Sequence, residues 1–238
     1  MEYIIEYKGV DKSFGDKQVL KDINLKIKPK RIVGIIGKNG SGKSTIFKLA
    51  NDLLTPTAGE ILVGGQKLGV ETKKMISYLP ERTYFPKNIK VYDAIKLFKD
   101  FYEDFDENKA KELLDLLDLD ANMNMTKMSK GMKEKVQLVL VMARKAKLYI
   151  LDEPLGGVDP ATRDYILDTI LSNFGEDSTM LISTHMVSDI ERILDEVIIV
   201  DEGKIVLHED ADKLREKEKA SIDEIFRRRF YKHVNKAS

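Results

Sequence analysis

An α/β fold built on a mainly parallel sheet is predicted by three observations. Short strand-like apolar runs recur along the 238 residues, and helical periodicity fills most of the gaps between them. Several runs, among them RIVGII, LYIL and EVIIV, are apolar without alternation. Unbroken apolar strands mark burial on both faces, and helices alternating with strands connect parallel neighbours.

In chain order, strands are predicted at 3–8 (YIIEYK), 22–27 (DINLKI) and 31–36 (RIVGII). A helix follows at 43–54 (KSTIFKLANDLL), then strands at 60–63 (EILV) and 75–79 (MISYL). From about Tyr92 to Lys145 the signals turn helical, with VYDAIKLFKDFY (91–102), NKAKELLDLLDL (108–119) and the apolar run VQLVLVMA (136–143). That region reads as a helical subdomain inserted into the sheet domain. Alternation resumes with LYIL (148–151), ATRDYILDTILSNF (161–174), TMLIS (179–183), MVSDIERIL (186–194), EVIIV (196–200) and KIVLH (204–208). The last 23 residues, from Glu216, read as one amphipathic helix with a basic end at Arg227, Arg228 and Arg229, a solvated charge run.

Composition narrows the function. Forty basic and forty acidic residues cancel, so binding driven by a globally basic field, as in many nucleic-acid proteins, is not indicated. The chain has no cysteine, which removes disulfides and thiolate metal sites and suits a cytosolic setting. The opening MEYIIEYKG has no basic start and only a short apolar stretch, so no secretory leader is expected. Its longest apolar runs fall short of the roughly 20 residues that span a bilayer. Any membrane part is expected from another polypeptide.

The densest chemical signal is GKNGSGKST, from Gly37 to Thr45, which fits G-x-x-x-x-G-K-[ST] between a strand and a helix. Glycines 37, 40 and 42 let the backbone wrap an anion without Cβ clashes. The amides of Lys38, Asn39, Ser41 and their neighbours then converge on phosphate at a helix N-terminus. Lys43 is placed to reach the β- and γ-phosphates, and the Ser44 hydroxyl to ligate magnesium. A chance match is expected about once in a hundred chains of this length, so nucleotide binding is the reading taken.

A second apolar strand ends in Asp152-Glu153-Pro154. An acid at a strand's carboxyl end is where such sites hold magnesium, so Asp152 is the predicted metal residue. Glu153, one residue on, is placed to activate an attacking water. TMLIS is followed by Thr184 and His185, which puts His185 at another strand terminus on the ligand edge of the sheet, in reach of a γ-phosphate.

In this order and spacing the motifs resemble the ATP-binding cassette (ABC) family. The resemblance covers essentially the whole chain to about Leu214. It implies a P-loop NTPase core with a mainly parallel sheet, an antiparallel β subdomain and a helical subdomain inserted at about 82–146. It makes 1–214 the ATPase domain and 215–238 a helical tail. MSKGM, Met128 to Met132, aligns with the family's Leu-Ser-Gly-Gly-Gln signature, keeping Ser129 and Gly131. Two cassettes are thereby implied to dimerise head to tail, each ATP held between one phosphate loop and the other copy's Ser129, Lys130 and Gly131. Lys130 and Lys133 are otherwise simply solvated. Asp159, in LGGVDP, is implied at the dimer seam. Phe14, in KSFG, stands where the family stacks an aromatic on adenine; the alternative is a core phenylalanine. Glu81, in SYLPE, replaces the family's usual glutamine, which links magnesium and the attacking water to the helical subdomain. Tyr84 and Phe85, in RTYFPKN, are implied to face the groove that receives a cytoplasmic helix of a membrane subunit, or else to pack beneath the helical subdomain. The KPKR stretch before the phosphate loop lacks the family's Gly-Glu turn.

The expected protein is the ATPase subunit of an ABC transporter, using ATP and Mg2+, peripheral on the cytoplasmic face of the membrane, with an integral membrane subunit and a second ATPase chain as partners. Its pattern is similar to exporters of peptides, antibiotics or amphipathic toxins such as phenol-soluble modulins. The alternatives are a soluble ABC ATPase acting on ribosomes or DNA, and a regulatory subunit with little turnover. Tandem cassettes and long coiled-coil insertions, usual in the former, are not seen, and Lys43, Asp152, Glu153 and His185 together disfavour the latter.

Overall fold

The structure is a computed structural model that describes residues 2–86, 88–156, 160–172 and 174–230, the side chains of 160–162 excepted. The chain opens with β1 (Ile5–Phe14) and β2 (Lys17–Ile27), a long antiparallel hairpin. β2 turns Leu20, Ile23, Leu25 and Ile27 inward. The three-residue step from Leu20 to Ile23 breaks strict alternation. It is absorbed by an irregularity at Asp22, whose φ is 47°. That break is why the periodicity predicted only the second half of this strand.

β3 (Ile32–Ile36) leads through the phosphate loop to α1 (Lys43–Ala50). β4 (Ala58–Val63) and β5 (Gln66–Lys67) then complete a four-stranded antiparallel sheet in the order β2-β1-β4-β5. A short helix that the periodicity did not predict, α2 (Val70–Met75), precedes β6 (Ile76–Leu79). Its start is set by Gly69 and Thr72, whose backbone and hydroxyl groups bond at 2.9 Å.

Among the described residues three α-helices lie between β6 and the next strand: α3 (Val91–Phe101), α4 (Glu107–Leu116) and α5 (Lys130–Met142). Asp106 caps α4 by accepting from the amides of Asn108 and Lys109 at 3.1 Å, and Ser129 caps α5. β7 (Leu148–Asp152), α6 (Pro160–Ser172), β8 (Thr179–Thr184), the single turn α7 (Val187–Ile190), β9 (Glu196–Asp201) and β10 (Lys204–Asp210) follow. The second sheet runs β10-β9-β3-β8-β7-β6, parallel throughout except at β10.

Alternate residues of the parallel strands face two cores. Val33, Ile35, Leu148, Ile150 and Leu181 meet Ile46, Phe47 and Leu49 of α1, which is thus clasped between the two sheets. Ile36, Tyr149, Leu151, Met180 and Ile182 face the helices on the opposite side. Each such buried aliphatic side chain contributes about 1.5–3 kcal/mol, so α1 is fixed from both faces.

The C-terminal run is two helices, not the single one predicted. α8 (Ala211–Glu218) stops at Lys219, whose φ of 48° is left-handed. α9 (Ile222–Phe230) restarts from Ser221, which accepts from the Glu224 amide while Glu224 accepts from the Ser221 amide, both at 3.2 Å. This reciprocal capping box overrides the helical periodicity that runs through it.

Candidate nucleotide site

β3 ends deep in the sheet and releases residues 37–42 directly into the N-terminus of α1. The loop closes on itself through the Ser41 amide, which donates to the Lys38 carbonyl at 3.1 Å, and the Gly203 amide bonds the Ser41 carbonyl at 3.0 Å. Two glycines are dictated by crowding. A Cβ at Gly37 would stand 2.4 Å from the Val200 carbonyl oxygen, and one at Gly42 only 2.6 Å from Leu20 of β2. Gly42 also has a φ of 114°, open to glycine alone at low cost.

Lys43 is almost wholly buried. Its ammonium donates to the carbonyls of Gly37 at 2.8 Å and Lys38 at 3.3 Å, and lies 3.4 Å from Glu153 Oε1. The other Glu153 oxygen lies 2.8 Å from His185 Nδ1. An ionised carboxylate only accepts, so that ring nitrogen carries the hydrogen. The N-terminus of α1 and the ends of β7 and β8 thus deliver Lys43, Glu153 and His185 to one point.

Asp152, 1% exposed, ends β7. Its Oδ1 accepts from the hydroxyls of Ser44 at 3.1 Å and Ser183 at 2.6 Å, while Oδ2 is buried without a partner among the described residues. Burial pushes its carboxyl up from the usual range, opposed by the two hydroxyl bonds and reinforced by the negative charges of Glu81 and Glu153. Among the described residues no three His, Cys, Asp or Glu side chains converge as a self-sufficient metal site.

These groups open onto a cleft of about 1190 Å³. Asn39, Gly40, Gly42, Lys43, Ser44 and Thr45 line one wall, and Glu81, Glu153 and His185 another. Lys130 and Glu134, one turn apart on α5 and 3.5 Å from each other, reach its far rim. Ser41 faces away, with a buried hydroxyl that has no hydrogen-bond partner among the described residues. Lys38 also turns aside, donating to the Phe230 carbonyl at 3.2 Å with its ammonium 5.2 Å over that ring.

Phe14 is 48% exposed, its ring beneath the Lys12 ammonium at 4.9 Å, and stands outside the cleft lining. The residues just across the hairpin turn, Lys17 to Val19, line the cleft instead, as do Glu202 and Gly203. Those turn residues carry no motif, and the sequence offered no signal for them. Ser129 Oγ accepts from the Met132 amide at 3.2 Å, as an N-cap. Asp159 lies outside the described residues.

A second, apolar groove of about 630 Å³ runs between the end of α1 and α3. Leu53, Tyr84, Leu97 and Phe101 line it and are all exposed, Tyr84 by 51% and Phe101 by 76%. Phe85, its ring centroid 5.4 Å from that of Tyr84, is half-buried against the helical core. Tyr84 is thus exposed to the groove, while Phe85 packs beneath the helical subdomain. On the groove floor Arg144 is buried, paired with Asp104 at 3.0 Å and 3.8 Å from the Tyr102 ring.

A glycine loop cradled at a helix N-terminus, with a lysine-bridged acid just past the end of β7, defines a P-loop nucleoside triphosphatase. The sequence profile described as ABC transporter matches residues 20–156, more than half of the chain, and the protein belongs to that family as an ATP-binding ATPase subunit. The ABC transporter ATP-binding protein YtrB of Bacillus subtilis (strain 168) is 30% identical over 216 residues, 90% of this chain and 74% of that protein. The lantibiotic transport ATP-binding protein SrtF of Streptococcus pyogenes is 30% identical over 212 residues, 88% and 92% of the two chains. A solved structure described as the ATP binding subunit of an ABC transporter superposes with a TM-score of 0.85 at 28% identity, covering 94% of this chain and 98% of the other. No helix among the described residues is long and apolar enough to cross a membrane.

Proposed function

We propose that the protein works with Mg2+ as the ATPase of a transporter whose membrane path is a separate chain, and that Glu153 is the base that activates water. The observation that carries this is the Glu153 carboxylate, held between Lys43 and His185 at the mouth of the phosphate loop. Triphosphate in the loop draws the Lys43 ammonium towards its own oxygens. Glu153 then keeps His185 on one oxygen and has the other free to take a proton from water. His185, oriented through Nδ1, presents Nε2 to the cleft.

The residues present fit a magnesium ion. The unpartnered Oδ2 of Asp152 is a buried acceptor in need of positive charge, and Ser44 stands beside it. A cation held there mainly by phosphate and water supplies charge neutralisation to the transferring phosphoryl group. Glu81 lines the same wall, and its extra negative charge relative to glutamine is placed to favour that cation.

The half-site opposite the nucleotide is assigned to a second copy or a related chain. Support comes from Gly131, inside the first turn of α5, where a Cβ would meet nothing within 4 Å. Glycine there costs about 1 kcal/mol against alanine and relieves no crowding within this chain, so the room it leaves serves something outside. Ser129→Arg is expected to leave ATP affinity of the isolated chain within about twofold while abolishing ATP-dependent dimerisation and steady-state hydrolysis. Fluorescent-nucleotide titration alongside a phosphate-release assay reads both.

The aromatic groove is assigned to a short helix of the membrane partner, an apolar segment that covers Tyr84, Leu97 and Phe101. The names of relatives, one a lantibiotic transport protein and one a linearmycin resistance protein, favour an exporter of peptide or antibiotic cargo at the cytoplasmic face of a membrane. Phe101→Asp is expected to abolish co-purification with an integral membrane protein and leave basal ATP hydrolysis within about twofold. Unchanged co-purification would remove the groove from the partner interface.

A further inference from the structure

We infer that Ser183 is a positioning residue for hydrolysis, a single buried hydroxyl that sets the orientation of both Asp152 and Glu153. The inference rests on the reading of those two acids given above. Ser183 lies within a strand whose apolar periodicity marks it as core, and it is 0% exposed. A buried hydroxyl on a central strand is costly unless bonded, so its partners say what it is for.

Those partners are the two acids. β7 and β8 run parallel with Asp152 directly paired to Ser183, which places the two side chains as neighbours on one face of the sheet. The Ser183 hydroxyl donates to Asp152 Oδ1 at 2.6 Å and accepts from the Glu153 amide at 3.0 Å. The Ser183 carbonyl shares that amide at 3.2 Å. One side chain therefore holds a carboxylate on one side and the next residue's backbone on the other.

Each bond has a consequence. Ser183 and Ser44 together saturate Oδ1, which leaves Oδ2 as the one oxygen of Asp152 free for a metal-bound water. Without Ser183 only the longer Ser44 bond restrains Oδ1, and the carboxylate turns more readily about its χ2 to offer either oxygen. Glu153 has a φ of 52°, a left-handed conformation that a non-glycine residue adopts only when its surroundings enforce it. The doubly bonded amide is part of that enforcement, and it aims the Glu153 carboxylate at Lys43 and His185.

The test compares Ser183→Ala with Ser183→Thr, which keeps the hydroxyl and suits a strand. Ser183→Ala is expected to lower kcat about tenfold, the equivalent of one to two net hydrogen bonds. In equilibrium titrations of a fluorescent ATP analogue, the tightening produced by Mg2+ over EDTA is expected to shrink several-fold in Ser183→Ala and to recover, with kcat, in Ser183→Thr. Affinity in EDTA reports the fold and the phosphate loop, and is expected to stay unchanged. Should Ser183→Ala not bind nucleotide in EDTA, Ser183→Cys, near-isosteric but a weak donor, takes its place with the same expectations. A wild-type kcat and Mg2+ response in the variant without a hydroxyl, or equal losses in Ala and Thr, would overturn the assignment. Glu153→Gln run in parallel separates the two readings: if it stays active, the base assignment fails, whereas an inactive Glu153→Gln beside a fully active Ser183→Ala removes Ser183 alone.

Discussion

Glu153→Gln is expected to lower kcat for ATP hydrolysis about 10²- to 10⁴-fold while leaving ATP affinity within about threefold. The substitution keeps the size and shape of the side chain: its amide oxygen still accepts from Lys43, and its NH2 meets His185 Nδ1 in the ring's other tautomer, so the loop stays in place. What it removes is the capacity to accept a proton from water at neutral pH. Glu153 is positioned by three independent constraints: its left-handed backbone, the Lys43 ammonium at 3.4 Å and His185 Nδ1 at 2.8 Å. A loss of affinity instead of turnover would show that the carboxylate binds nucleotide and does no proton transfer.

Lys43→Ala is expected to weaken ATP binding about 100-fold. That corresponds to roughly 3 kcal/mol, the range for charged hydrogen bonds to a phosphate in a buried site. Two losses add in the same direction. The triphosphate loses its nearest buried cation, and the Gly37 and Lys38 carbonyls lose the donor that holds the loop shut. Lys43→Arg is expected to recover little, because a planar fork does not fit where a compact ammonium lies between two carbonyls and a carboxylate. Equilibrium titration with a fluorescent nucleotide checks both variants. Wild-type affinity in Lys43→Ala would overturn the placement of phosphate in this loop.

How legible the site was depends on whether its residues are neighbours in sequence. The phosphate loop is local: glycine spacing, Lys43 and Ser44 are all written within nine residues, and the structure adds the clashes that Gly37 and Gly42 avoid and the turning aside of Lys38 and Ser41. Asp152 and Glu153 are legible too, since four apolar residues deliver them to a strand end. Their mutual geometry is not, because Lys43, Glu153 and His185 meet only after β3, β7 and β8 are laid side by side. Ser183 was hidden for the same reason. Inside TMLIS it reads as a strand residue, and only the pairing of β7 with β8 reveals it beside Asp152.

The fold shows the same division between local and non-local information. The apolar strands that build the parallel sheet and the helices other than the short α2 follow from periodicity. The first half of β2 escaped because the irregularity at Asp22 shifts the phase of its inward residues. The break between α8 and α9 was in the sequence, as Ser221 and Glu224 at capping-box spacing, but periodicity alone runs through it. Tyr84 and Phe85 illustrate a limit of another kind. Two adjacent aromatics look alike in sequence, yet the turn that carries them exposes one to the groove and folds the other against the helices.

We propose that ATP is enclosed between the phosphate loop of one chain and the Ser129 turn of another, then hydrolysed through Glu153. The mass of Glu153→Gln in solution, measured by light scattering with saturating ATP and Mg2+, tests it most directly. A stable dimer is expected that forms only with nucleotide and is lost when Ser129→Arg is added. A chain that binds ATP and remains monomeric under those conditions would contradict it.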